Sequence, residues 1–321
     1  MPIQTVSHYH PPFYYFNNPH LQTMMPSFFR KVTGFSYVRE RINTPDGDFL
    51  DLDWATQGSQ KLVIVTHGLE GSADRHYVRG VIKKLRAQGW DGLGWNCRSC
   101  SGEMNRLPRF YHHGDTPDLA LVVDHAIQKG NYQTVMLVGF SLGGSMTIKY
   151  LGERGERVRP EIKRAVAVSV PCTLAECGDE LAKPNKKFYT KRFLQKLGAK
   201  IKAKAALMPD QISYRDYDKI QLFEDFDNAY TAPLHGFRDA ADYYAQVSAI
   251  GFVDRVRVPL LLINALNDPF LTPACFPVQI AEQHPFLHLE MTTQGGHVGF
   301  QLPGTNETYA ERRMAEWVAD L

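Results

Sequence analysis

Continuous apolar runs that alternate with helical patterns constrain this chain more than any other feature. Leu62-Val63-Ile64-Val65 is apolar at successive positions, which suits a strand covered on both faces rather than one with a wet side. A helical pattern from Ser72 follows, with Tyr77, Val78, Val81, Ile82 and Leu85 on one face and Gly89 as its stop. Trp90–Trp95 then reads as a strand, Pro117–Gln128 as a helix and Val135–Val138 as a strand. A helix after Gly143 and a strand over Ala165–Val170 continue the rhythm. Strands alternating with helices predict an α/β fold with a mostly parallel sheet and helices on both faces. The alternation stops at about Cys172 and resumes after Gly251, with strands over Val258–Ala265 and Leu287–Thr292 and a last helix near Glu307–Leu321. The expected layout is a core of residues 61–171 and 251–321 with a helical cap inserted at 172–250. Residues 1–60 are expected to pack on that core as an aromatic, proline-rich extended arm (Phe13, Tyr14, Tyr15, Phe16) and a hairpin turning at Asp46-Gly47.

Composition narrows the function classes. Of 321 residues, 44% are hydrophobic and 22% charged, with a formal net charge of +2. Disorder, a collagen-like chain and a disulfide miniprotein are excluded, and no global field points to nucleic acid. Five cysteines, an odd number in a long chain, argue against a disulfide framework and for a reducing compartment, the cytoplasm. Cys97-x-x-Cys100 lacks the second half that zinc or redox work wants. The first 29 residues hold no Lys, Arg, Asp or Glu, so the charged start of a secretory signal is missing. Pro2, Pro11, Pro12, Pro19 and Pro26 interrupt that stretch and exclude a membrane-spanning helix there.

Gly139-Phe140-Ser141-Leu142-Gly143 matches G-x-S-x-G between a predicted strand and a predicted helix. In that context the serine sits on a sharp turn above the sheet edge, where strand and helix approach too closely for most side chains. A serine hydroxyl needs a base, and the base an orienting acid. Asp268 follows the buried run Val258–Asn264, at the carboxyl end of a strand, where open α/β sheets place their sites. His297, in Gly295-Gly296-His297-Val298-Gly299, follows the next strand. Ser141 is thus the candidate nucleophile, His297 the base and Asp268 the orienter. Asp254 or Asp239 would be the substitute acids, and His284 or His288 the substitute bases. Backbone N–H groups of Leu142 and of Leu69, in His67-Gly68-Leu69-Glu70-Gly71, are the candidate oxyanion donors, and His67 is expected to shape that loop. No phosphate-binding glycine loop or H-E-x-x-H is present, and adjacent His112 and His113 rarely share a metal, so neither metal nor cofactor is expected.

The insertion carries a basic run from Lys183 to Lys204, with no acid between Leu181 and Pro209. A solvated amphipathic helix with Leu194, Leu197 and Ile201 on its apolar face is one reading; an anionic membrane surface or substrate headgroup is the sharper one. Glu224, Asp225 and Asp227 are placed to neutralise the excess. Aromatics Phe188, Phe193, Phe223, Phe226 and Tyr230 favour an apolar acyl group, or form the cap's own core.

Beyond the candidate residues, several blocks resemble the YheT-like group of α/β-hydrolases, related to the plant embryogenesis-associated protein and the animal abhydrolase-domain esterases. They are Asn18-Pro19-His20-Leu21-Gln22-Thr23, His67–Ser72, Asn96–Glu103, Tyr111–Thr116, Gly139–Gly144 and Gly295–Phe300. The resemblance spans roughly residues 13 to 320. It implies an α/β-hydrolase fold and carboxylester hydrolysis by Ser141, Asp268 and His297. One departure is Ser99, where the group's pattern leads one to expect glycine. Lipase, phospholipase, thioesterase and acyltransferase variants use the same machinery, and a non-catalytic binding protein on the scaffold is the alternative from another class. The expected partner is a small acyl ester, with a weak peripheral membrane contact as a further reading and no nucleic acid; the oligomeric state stays open.

Overall fold

The computed structural model describes residues 3–6, 8–15 and 17–321; Pro2 and Phe16 lie outside them. In chain order the elements begin with β1 (Ile3–Val6), α1 (Pro19–Phe29), β2 (Val38–Asn43), β3 (Phe49–Ala55), β4 (Lys61–Thr66), α2 (His76–Arg86) and β5 (Asp91–Asn96). They continue with α3 (Thr116–Gly130), β6 (Thr134–Phe140), α4 (Leu142–Arg154) and β7 (Ile162–Val168). Helices α5 (Leu174–Ala182), α6 (Lys187–Leu207), α7 (Phe223–Phe226), α8 (Ala232–His235) and α9 (Ala240–Val247) follow without a strand. The chain closes with β8 (Leu260–Ala265), α10 (Val278–Gln283), β9 (Leu287–Thr292) and α11 (Tyr309–Trp317).

The nine strands form one sheet in the order β1-β9-β8-β7-β6-β4-β5-β3-β2. Only β3 runs against its neighbours. The apolar run of β4 explains the layering. Leu62 and Ile64 face one side, packing in a cluster with Leu119 of α3 and Leu151 of α4. Val63 and Val65 face the other, with Val78, Val81 and Leu85 of α2 and Met314 of α11. Burying each such side chain stabilises the fold by about 1.5–3 kcal/mol. The β2–β3 hairpin pairs Asn43 with Phe49 around Gly47, whose φ of +88° suits glycine.

Three expectations change. Helix α2 starts at His76 rather than Ser72, because residues 72–75 form a turn (Arg75 N–H to Ser72 O, 3.1 Å) with the Ala73 amide tied to Asn96. The arm is not extended throughout: Asn18 caps α1 by accepting from the amides of His20 and Leu21, and Pro19 takes a position where its missing N–H costs nothing. Its first residues add β1 to the sheet edge beside β9. Tyr9 and Tyr15 are buried, but Phe13 and Phe29 remain 88% and 70% exposed. The basic run is not neutralised by Glu224, Asp225 and Asp227. Lys183 and Lys186 pair with Glu180, Lys200 with Glu70, and Lys204 turns inward to Asn105 and the Leu107 carbonyl. Asp225 instead caps α7, and Asp227 accepts from Thr231 and Tyr244. Among the described residues, no helix is long and apolar enough to cross a membrane.

Candidate active site

Ser141 stands between β6 and α4 with φ +52° and ψ −117°, a left-handed conformation costing about 1–3 kcal/mol in a non-glycine residue. Its neighbours permit the turn. A Cβ on Gly139 would lie 2.1 Å from the Gly143 carbonyl oxygen, and one on Gly143 would lie 2.4 Å from that of Thr66. The strain and the close approach together lift the Ser141 hydroxyl off the sheet.

The structure brings the three candidate side chains together from the carboxyl ends of β6, β8 and β9. Ser141 Oγ lies 2.9 Å from His297 Nε2, and His297 Nδ1 lies 2.9 Å from Asp268 Oδ2. A carboxylate only accepts, so Nδ1 carries the proton and Nε2 accepts from the serine hydroxyl. Asp268 is held in turn: its other oxygen accepts the Phe270 amide at 2.8 Å, and its side chain is fully buried. The Phe270 ring stacks on the His297 imidazole, with centroids 4.0 Å apart. The substitute residues lie in other settings. Asp239 caps α9, His284 accepts the Phe286 and Leu287 amides, and His288 packs edge-on against Trp317. Asp254 sits in the short turn before β8.

The loop after β4 presents the Leu69 amide. On either side of it, the Gly68 amide donates to the Tyr77 hydroxyl (3.1 Å) and the Glu70 amide to that of Tyr111 (2.8 Å). Among the described residues, the Leu69 N–H has no partner, nor does that of Leu142 in the first turn of α4. Glu70 is fixed by Lys200 of α6 at 2.9 Å and by the Tyr111 hydroxyl at 2.9 Å. Burial pulls the Lys200 ammonium down, but Cys100 and Glu70 outweigh it and hold its pKa above the usual lysine value. His67 donates from Nδ1 to the Gly68 carbonyl (2.7 Å) and accepts the Cys97 amide at Nε2 (3.1 Å). Burial pushes its pKa down to about 4, so the ring is a neutral strut. Ser99, where glycine was expected, adopts φ +62° and anchors Asn105 through its hydroxyl. The serine thus takes the backbone shape a glycine would supply.

Reasoning from the sequence missed the supports of His297. The Gln22 carbonyl oxygen of its side chain accepts the Gly295 amide at 2.8 Å, and Thr23 Oγ1 accepts the His297 amide at 2.9 Å. Asn267 bridges Gln22 and the Gly296 amide, and Ser169 after β7 accepts the Val298 amide. Gln22 and Thr23 fall in the Asn18–Thr23 block, which was the only available signal.

A cavity opens at Ser141 between the sheet edge and the helices that follow β7. Phe193, Phe223, Phe226 and Tyr230 line it together with Leu174 and Leu181. Phe188 does not; it is 44% exposed and packs on Tyr189 and His20.

The family described as "Serine aminopeptidase, S33" matches residues 57–276. "Putative esterase YheT" of Escherichia coli K12 is 34% identical over 94% of this chain and 91% of its own. "Phospholipase ABHD3" of Bos taurus is 27% identical over 92% and 75%. In structure, the Pyrococcus furiosus esterase Pf2001 aligns with a TM-score of 0.59 and 21% identity over 90% of this chain and 95% of that one. With its mostly parallel sheet and flanking helices, the chain belongs to the serine aminopeptidase S33 family of α/β-hydrolases, and within it is similar to esterases.

Proposed function

We propose that this protein is a serine hydrolase that cleaves carboxylic esters of apolar acyl groups through an acyl-enzyme intermediate. The observation that carries the reading is the relay Ser141–His297–Asp268, two hydrogen bonds of 2.9 Å, opening onto an apolar cavity. The similarity to proteins named as an esterase and a phospholipase supports the same chemistry. Residues 172–250 act in this reading as a cap over the core of 61–171 and 251–321.

The acyl chain enters the apolar cavity and its carbonyl meets Ser141. The serine oxygen attacks while its proton passes to His297 Nε2. Asp268 keeps the imidazole in the correct tautomer and stabilises the imidazolium. The developing oxyanion accepts from the Leu69 and Leu142 amides, each worth about 3–4 kcal/mol of barrier. His297 then protonates the departing alcohol, and water repeats the sequence on the acyl-enzyme.

A fluorophosphonate probe tests the reading directly. Wild type is expected to be modified at Ser141, Ser141→Ala to be inert, and His297→Ala to react much more slowly. A panel of acyl esters of graded length supplies the second readout. Equal ester turnover by wild type and Ser141→Ala would overturn the proposal.

A further inference from the structure

A second cavity also reaches Ser141. It shares Leu69, Glu70, Phe193, Phe270 and His297 with the apolar cavity, but its other walls come mainly from α1, the start of α2 and Tyr189, Arg192 and Lys196 of α6 rather than from α5 and α7–α9. Its character differs. Arg75, Arg192 and Lys196 line it, and Glu70 is its sole acidic wall residue among those described. That carboxylate is already engaged by Lys200 and Tyr111.

The three cations are not neutralised. Among the described residues, none has a carboxylate within 4.0 Å: the nearby Asp74 pairs with Arg79, and Glu70 with Lys200. Arg75 donates to the Ser27 hydroxyl at 2.9 Å, and the Arg192 guanidinium lies over the Phe28 ring at 4.4 Å. Burial lowers the Lys196 pKa most, Arg75 lowers it further, Glu70 raises it and Arg192 lowers it again, which places the three cations in one another's field with Glu70 beside them. Like charges gathered with no carboxylate paired to them destabilise the fold unless something else requires them. They line the cavity that reaches Ser141, and guanidinium forks match the geometry of phosphate oxygens.

The two cavities divide a substrate. With the acyl chain in the apolar cavity and its carbonyl at Ser141, the alcohol side points into the cationic one. We propose that Arg75, Arg192 and Lys196 form a leaving-group subsite for an alcohol that carries a phosphate. This rests on the ester-hydrolase reading above and names its substrate class. The bond broken is the acyl C–O bond; water supplies the hydroxyl of the acid and the proton of the alcohol, and the phosphate ester is untouched.

The test compares octanoyl glycerol phosphate with octanoyl glycerol, both below their micelle concentrations. For wild type at low salt, kcat/KM is expected to favour the phosphorylated ester about tenfold or more, as hydrogen bonds to a charged group imply. Added salt should narrow the ratio, since Arg192 and Lys196 are exposed. The double variant Arg192→Gln/Lys196→Gln, at exposed positions that the fold tolerates, is expected to bring the ratio near one. Lys202→Gln removes a charge from the same helix but outside the cavity, beside Tyr214, and should leave the ratio alone. A wild-type ratio of one, or a ratio the double variant does not move, overturns the subsite. If neither ester is cleaved while fluorophosphonate still modifies Ser141, the subsite alone falls. If Ser141 does not react either, the ester-hydrolase reading falls with it.

Discussion

Asp268 shows how much a single atom decides. Its Oδ2 faces the His297 ring and its Oδ1 takes the Phe270 amide, so both oxygens are committed. Asp268→Asn keeps the shape but offers an NH₂ where an acceptor is needed. The imidazole then holds its proton on the nitrogen that faces Ser141. Turnover is expected to fall about 10⁴-fold with the fold intact, as in serine hydrolases where the same exchange selects the wrong tautomer. Ester kinetics together with a thermal melt check this, and a loss of less than about tenfold would mean that another group orients the base. Residues of this kind are visible in sequence because chemistry restricts their type and topology their order. Ser141 and Asp268 each follow a strand that can be recognised by its apolar run, and His297 follows the next strand in order. Thr23 gives no such sign: a threonine on a short helix is ordinary until its hydroxyl is seen to accept the His297 amide.

At the scale of elements, the histidine loop is held from outside. Helix α1 supplies Gln22 and Thr23, and the loop after β8 supplies Asn267, while the loop itself contributes Gln294, whose side chain meets both Gln22 and Asn267. Gln22→Ala would leave the buried Gly295 amide without its acceptor, at about 1–3 kcal/mol. Its expected effect is a drop in kcat of about tenfold with little change in KM, because the loop carries the base and not the acyl cavity. Steady-state kinetics on one ester decides it, and a change confined to KM would contradict the positioning role. The same scale shows where the sequence was readable. Strands β4, β6 and β8 were plain from continuous apolar runs, since both faces are covered, whereas β9 (Leu287–Thr292) is interrupted by His288 and Glu290. Strand β1 was not plain, because Ile3–Val6 sits at the sheet edge with only Val6 buried and so lacks that pattern. Lysines turned inward were equally hidden. The composition of α6 reads as a wet helix, and only tertiary packing shows Lys204 wholly buried and Lys200 holding Glu70.

At the scale of the whole molecule, buried histidines set the response to acid. Burial holds His67, His113 and His235 near pKa 4, and His76 near 3, and pushes His112 down as well. Below the ordinary histidine value of 6.5 the unfolded chain binds protons that the folded protein refuses, so stability falls as pH drops from 6.5 towards 4. Each histidine forgoes about 1.4 kcal/mol per pH unit in that window. Asp115 and Asp227 oppose this. Burial raises them to about 7 and about 6, so the folded protein takes up their protons first, and they gain stability on acidification. Five histidines outweigh two aspartates, and the melting temperature at pH 5 is expected to lie roughly 5 °C or more below that at pH 7. Thermal melts across this range measure it, and an unchanged or higher value at pH 5 would refute the balance.

The bond between Gln22 and Gly295 joins positions 273 apart in the chain. Synthesis must therefore pass position 297 before the imidazole can be seated against the serine. An incomplete product would hold a nucleophile without its proton acceptor. Protection of the Gly295 amide from exchange during synthesis would time the moment when these two distant segments meet.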